Sequence, residues 1–186
     1  MNTNGLSYYF LFLIAFSCTM EDNIRTYQLA KVNKAPEVSI KSNSKIHISK
    51  ELIWEKPETW TSSTGSSMRI ASFSVPYLDE FGDLSVIKLG GNGGGLESNI
   101  NRWRRQLSLE PMSLVKIEKE LAKREGGFGI YRMLQIINKN IDSAFLCAII
   151  PMEDYTIFVK LALKPKGISL VEKDFITFCS SLRNSN

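Results

Sequence analysis

Histidine is almost absent from this chain: among 186 residues only His47 carries an imidazole. Cysteine is nearly as scarce, at Cys18, Cys147 and Cys179. These two shortages exclude a Ser-His-Asp or Cys-His catalytic set after residue 47, and no Cys/His spacing supports a metal site. No Asp/Glu pair stands at a spacing suggestive of acid–base work. Ser66 and Ser67 sit in Gly65-Ser66-Ser67-Met68 rather than in the G-x-S-x-G elbow of hydrolases. Long apolar runs are missing too. The longest, Leu6 to Ser17, has twelve residues, whereas a spanning helix needs about 20. No catalytic residue, metal or cofactor is therefore assigned.

What is present is an ordinary globular composition, 44% hydrophobic and 23% charged, with a net charge of +4. That charge is unevenly placed. Residues 1–17 contain no Asp, Glu, Lys or Arg. Residues 19–50 hold Arg25, Lys31, Lys34, Lys41, Lys45 and Lys50 against Glu21, Asp22 and Glu37, which is 6 − 3 = +3, and leaves +1 for residues 51–186. The division predicts a signal segment over 1–17, a polar basic tether over 18–50 and a single domain over 51–186. A nearly neutral domain argues against a nucleic-acid partner.

Twelve apolar residues suit the hydrophobic core of a signal peptide. The end of that run, Ala15-Phe16-Ser17-Cys18, resembles a bacterial lipobox, with Phe16 an unusual residue there and no Lys or Arg before Leu6. The resemblance implies that Cys18 is lipidated and becomes the new N-terminus, anchoring the chain in a cell-envelope membrane. Thr19-Met20-Glu21-Asp22 is similar to the acidic export signal of surface lipoproteins in Bacteroidetes. The alternatives are a conventional secreted protein in which Cys18 has no role and an uncleaved anchor. Cys147 and Cys179 then remain, as buried small hydrophobes or as a disulfide if their Cα atoms come within about 7 Å.

Leu52-Ile53-Trp54 reads as a strand entering Pro57. Arg69–Val75 and Asp83–Leu89 alternate well enough to predict an antiparallel hairpin, with Pro76, Asp79 and Gly82 in a longer connecting loop. Gly90 to Gly95 (GGNGGG) precede a helix predicted to start at Ser98 or Asn99, with Ile100, Trp103 and Leu107 on one face. A second helix is predicted from Ser113 to Gly126-Gly127. Three strands follow, over 128–137, 143–150 and 155–163, the last two joined by Pro151-Met152-Glu153-Asp154. Val171, Phe175, Phe178 and Leu182 mark an amphipathic C-terminal helix. Two antiparallel groups of strands with helices between and after them give an α+β fold.

Several segments resemble a family of uncharacterised bacterial envelope proteins, many of them lipoproteins. They are Trp54-x-x-Pro57-x-x-Trp60, Met68 to Phe73, Gly90-Gly91 with Gly94-Gly95, Asn99-Ile100-Asn101-Arg102-Trp103-Arg104-x-Gln106-Leu107, Phe158-x-Lys160-Leu161 and Phe175-x-x-Phe178. The order of elements is also similar to the PsbP-like α/β/α sandwich, which implies a mainly antiparallel sheet with helices on both faces. That fold serves binding and assembly and carries no reaction with it.

The candidate ligand or partner surface is Gly93, Gly94, Asn99, Arg102, Arg105 and Gln106. Glycine N–H groups before a helix can cradle an anion, and arginines can clamp one. GGNGGG is not a P-loop, however, and a tight connection is its simpler reading. The arginines can equally pair with a carboxylate of the sheet, and Trp54 and Trp60 can form either a platform or a core-edge cluster. The expectation is a lipid-anchored binding or assembly module with a membrane as partner and an envelope protein as a second candidate partner. The alternative is an anionic-ligand binder or an enzyme using the glycine loop with Arg102 and Arg105.

Overall fold

Two neighbouring runs of sequence are apolar on both alternating faces. In Tyr155–Leu163, Ile157, Val159 and Leu161 join one buried cluster while Phe158 joins another. In Ser143–Pro151, Ala144, Leu146 and Ala148 join the first and Phe145, Cys147 and Ile149 the second. A strand that is apolar on both faces must be covered on both faces, which puts these two at the centre of a layered domain.

A computed structural model of the chain describes residues 52–185. The apolar run of 6–17, Cys18, His47 and the tether lie outside the described residues. The elements are β1 (Leu52–Ile53), β2 (Thr61–Ser62), β3 (Arg69–Tyr77), β4 (Glu80–Gly90), α1 (Leu96–Gln106), α2 (Leu114–Glu120), β5 (Ala122–Gly126), β6 (Gly129–Asn138), β7 (Ser143–Pro151), β8 (Tyr155–Leu163), α3 (Ile168–Ser181) and β9 (Arg183–Asn184). One antiparallel sheet runs β2-β3-β4-β8-β7-β6-β5, and β1 pairs separately with β9. The two strand groups read from sequence thus merge through the β4–β8 pairing, from Asp83↔Ala162 to Gly90↔Tyr155.

One face packs on α3 through Val171, Phe175 and Phe178, the other on α1 and α2 through Ile100, Trp103 and Ile117. The fold is therefore α+β, an antiparallel sheet between two helical layers. Trp54 and Trp60 belong to the α3 side. The Trp60 ring lies 5.3 Å from Phe178 and 6.3 Å from Phe73, and Trp54 lies 6.1 Å from Phe73. They lock the entry segment onto the core edge.

Three expectations are corrected. The β3–β4 connection is a two-residue turn, Leu78-Asp79, because Tyr77 pairs with Glu80 and Pro76 with Phe81. Pro76 is tolerated because β2 pairs only with Ser74 and Phe73, so no ladder partner awaits its missing N–H. The second helix ends at Glu120, and Ala122–Gly126 forms an edge strand instead. Its Lys, Arg and Glu are good helix formers, but pairing of Ala122 with Met133 through Gly126 with Gly129 overrides that preference, and the charges protect an open edge. Helix α1 starts two to three residues earlier than expected, at Leu96, for the reason given below.

The tip of the β3–β4 hairpin is fixed to the β8–α3 connection by Glu80. One oxygen receives Lys166 Nζ at 2.7 Å and Lys164 Nζ at 2.9 Å, and the other receives Tyr77 Oη at 3.2 Å. The hydrogen bonds from Lys166, then Lys164, hold this carboxyl down at about 2, below its ordinary value of 4.5. A depressed folded pKa stabilises above the unfolded value and is lost as pH falls through the folded one. Glu80→Gln is therefore expected to lower the melting temperature at neutral pH. The gap from wild type should shrink below about pH 4.5 and close near pH 2 in a pH series of thermal melts.

Candidate functional site

Polarity changes along the rows that cross the sheet beneath α1. One row runs Ser72–Ser85–Lys160–Cys147–Leu134. Its apolar end lies under the helices, with Cys147 and Leu134 in their cluster. Its polar end, on β3, β4 and β8, borders a groove along the flank of α1. The groove holds about 190 Å3 and is lined by Met68, Arg69, Ser85, Ile87, Leu89, Arg102, Trp103, Gln106, Phe158 and Lys160.

Helical spacing explains the α1 side of it. Ile100, Trp103 and Leu107 turn into the cluster, and Trp103 meets the Phe158 ring edge-on at 6.0 Å. Arg102 and Gln106, four residues apart, then fall together on the flank. Lys160 rises from the floor: its Nζ donates to Gln106 Oε1 at 2.8 Å and sits 4.4 Å from the centre of the Phe145 ring. Burial pushes this ammonium's pKa below its ordinary value; the Arg69 and Arg102 charges act in the same direction, and the Asp83 carboxylate opposes them. Arg69 is engaged with both oxygens of Asp83, at 2.8 and 2.9 Å, which raises its own pKa. No carboxylate lines the groove among the described residues.

The glycine loop has a different role. Its N–H groups are spent internally: Gly91 donates to Asp154 O, Gly93 to Gly90 O, Gly94 to Asn92 Oδ1 and Gly95 to Asn92 O. Gly93 has φ +62°, and a Cβ there would lie 2.5 Å from the Phe158 ring. Only glycine meets both demands. Asn99, 1% exposed, lies inside α1 rather than capping it. Its Nδ2 donates to Gly93 O at 2.8 Å and to Gly95 O at 2.7 Å, and its Oδ1 accepts from Arg102 Nη2 at 2.5 Å. Because this amide satisfies the loop, the helix can begin at Leu96 after Gly95, with no side-chain cap.

Of the six residues singled out in the sequence, Arg102 and Gln106 therefore reach the groove. Gly93, Gly94 and Asn99 build the loop that positions Arg102. Arg105 is exposed and is not among the groove-lining residues. Sequence reasoning passed over Lys160 and Arg69 as site residues. A signal existed for the first: Lys160 is the one charge in YTIFVKLAL, an otherwise apolar central strand.

A second hollow of about 350 Å3 lies at the glycine-loop end, with Arg132, Glu153, Thr156 and Ile149 in its wall. One cation and one carboxylate balance there. Cys147 and Cys179 are free and buried, in the clusters on opposite faces of the sheet, and burial raises both thiol pKa values. Neither is a reactive thiolate. Among the described residues there is no His/Cys/Asp/Glu group able to hold a metal ion and no helix long and apolar enough to cross a membrane.

No protein-family model matches the chain, and no curated protein matches it. Solved structures do. The chain is similar to a protein of Bacteroides thetaiotaomicron (11% identity, 73% of this chain, TM-score 0.48), of which it spans 45%. It is similar to the cyanobacterial PsbP of Synechocystis (14% identity, 83% of this chain and 99% of that one, TM-score 0.46). It is also similar to LpqN, involved in cell envelope biogenesis of Mycobacterium tuberculosis (12% identity, 73% of this chain and 83% of that one, TM-score 0.47). At these identities the likeness concerns the fold alone.

Proposed function

We propose that this protein is a lipid-anchored component of a bacterial cell envelope that acts as a non-enzymatic binding or assembly module, and that its working face is the α1 groove. The observation that carries this reading is convergence. β3, β4, α1 and β8 each send polar or cationic side chains into one groove otherwise walled by Ile87, Leu89, Trp103 and Phe158. Met68-Arg69, Arg102-Trp103, Gln106 and Phe158-x-Lys160, which carry the resemblance to envelope proteins, supply most of that lining. The apolar run of 6–17 and Cys18 support the anchor.

Two measurements test it. A photoreactive residue at Met68, 64% exposed at the groove, is expected to trap a partner in intact cells, whereas one at Leu170, 53% exposed on the opposite layer, is not. Equal adducts at both positions, or none at either, would reject the groove as the working face. Metabolic labelling with a clickable fatty acid is expected to mark the wild type and not Cys18→Ala; equal labelling of both sinks the anchor.

A further inference from the structure

We infer that the groove takes an amphiphilic anion: a carboxylate or phosphate head held by Arg102 and Lys160, with an apolar tail lying along Ile87 and Leu89. This rests on the groove being the working face and adds the chemistry of its ligand.

The charges do not balance inside the groove. Arg69 is neutralised by Asp83 through two hydrogen bonds. Lys160 and Arg102 have only neutral acceptors, Gln106 Oε1 and Asn99 Oδ1, and enter no ion pair among the described residues. A partly buried ammonium beside the Arg102 guanidinium, with the Asp83 carboxylate already taken by Arg69, is held at an electrostatic disadvantage that an anion would relieve. The Phe145 ring and Gln106 Oε1 face the ammonium at position 160, but neither carries a charge that balances it.

The walls select for more than a bare ion. Beside the cations stand the half-buried Ile87 and Leu89, and an inorganic ion would leave their apolar surface in water. About 190 Å3 holds a head and a few carbons. Met68 and Leu89 also border a shallower depression with Ile70 and Tyr155, over which a longer tail can extend.

The test titrates the full chain with octyl phosphate, octanoate, inorganic phosphate and octanol, each below any micelle-forming concentration, by calorimetry and by the fluorescence of Trp103 against a Trp103→Phe control. Octyl phosphate or octanoate should bind at least tenfold more tightly than octanol and than inorganic phosphate, and their order identifies the head. Lys160→Met and, independently, Arg102→Gln should each weaken the better anion tenfold or more and leave octanol unchanged. Lys160→Met should melt at or above the wild-type temperature, because it removes an uncompensated charge. Equal binding of octanol and the anions, insensitivity to both variants, or no binding of any probe overturns the inference. A partner trapped at Met68 in cells, alongside such a result, leaves the binding-module reading standing and removes only this ligand class.

Discussion

Phe178→Ala is expected to lower the melting temperature by roughly 6–20 °C, from a loss of about 3–5 kcal/mol at ~2–4 °C per kcal/mol for a domain of this size. Phe178 is 0% exposed and lies 5.3 Å from Trp60, 5.7 Å from Phe73 and 6.4 Å from Trp54, so truncation empties the centre of a four-ring cluster. Each ring pair adds about 0.5–1.5 kcal/mol beyond its buried area. The loss is a large share of the ~5–15 kcal/mol that holds a domain together. Phe81→Ala is the control: that ring is 71% exposed, and its removal should change stability by no more than about 0.5 kcal/mol. Comparable melting of the two variants would contradict the placement of the entry segment against α3.

Asn99→Ala carries the second large effect. It leaves Gly93 O without its hydrogen bond and removes the acceptor of Arg102, while Gly95 O keeps the Asn99 N–H at 3.2 Å. A buried acceptor left unpaired costs about 1–3 kcal/mol, so a loss of roughly 2–3 kcal/mol is expected, with faster hydrogen exchange confined to the glycine loop and the first turn of α1. Asn99→Asp should do no better, since it turns an oxygen toward two carbonyls. Unchanged exchange in Asn99→Ala would show that the loop holds itself without this side chain.

These predictions separate what the sequence discloses from what it hides. The strands at 143–150 and 155–163 are legible as short continuous apolar runs bounded by turn residues, and the last helix because Val171, Phe175 and Phe178 recur at one helical period. Ala122–Gly126 is not, because its residues favour a helix and only pairing with β6 supplies a ladder for them. The β3–β4 loop misleads for a related reason. Pro76 and Gly82 carry turn chemistry, yet both sit inside strands, Pro76 where no partner needs its N–H and Gly82 where a Cβ would lie 2.7 Å from Leu161 Cδ1.

The site divides in the same way. Arg102 and Gln106 can be found from helical spacing alone, since both flank an apolar face. Lys160 and Arg69 cannot be joined to them without the sheet, because the residues lie on three separate elements and meet only through the pairing of β4 with β8 and the seating of α1. Nor does spacing show that Asn99 faces inward to hold Gly93 and Gly95, which turns an apparent anion cradle into a brace for Arg102.

By itself the sequence determined most of the element types, Ala122–Gly126 excepted, the two-faced centre of the sheet, the scarcity of catalytic chemistry and the uneven charge, since each depends on local composition and period. Tertiary structure decided that the strand groups form one sheet, that the glycine loop is closed on itself and that the cations meet in one groove. Those depend on contacts between residues far apart in the chain, where register and burial, rather than local preference, set the free energy.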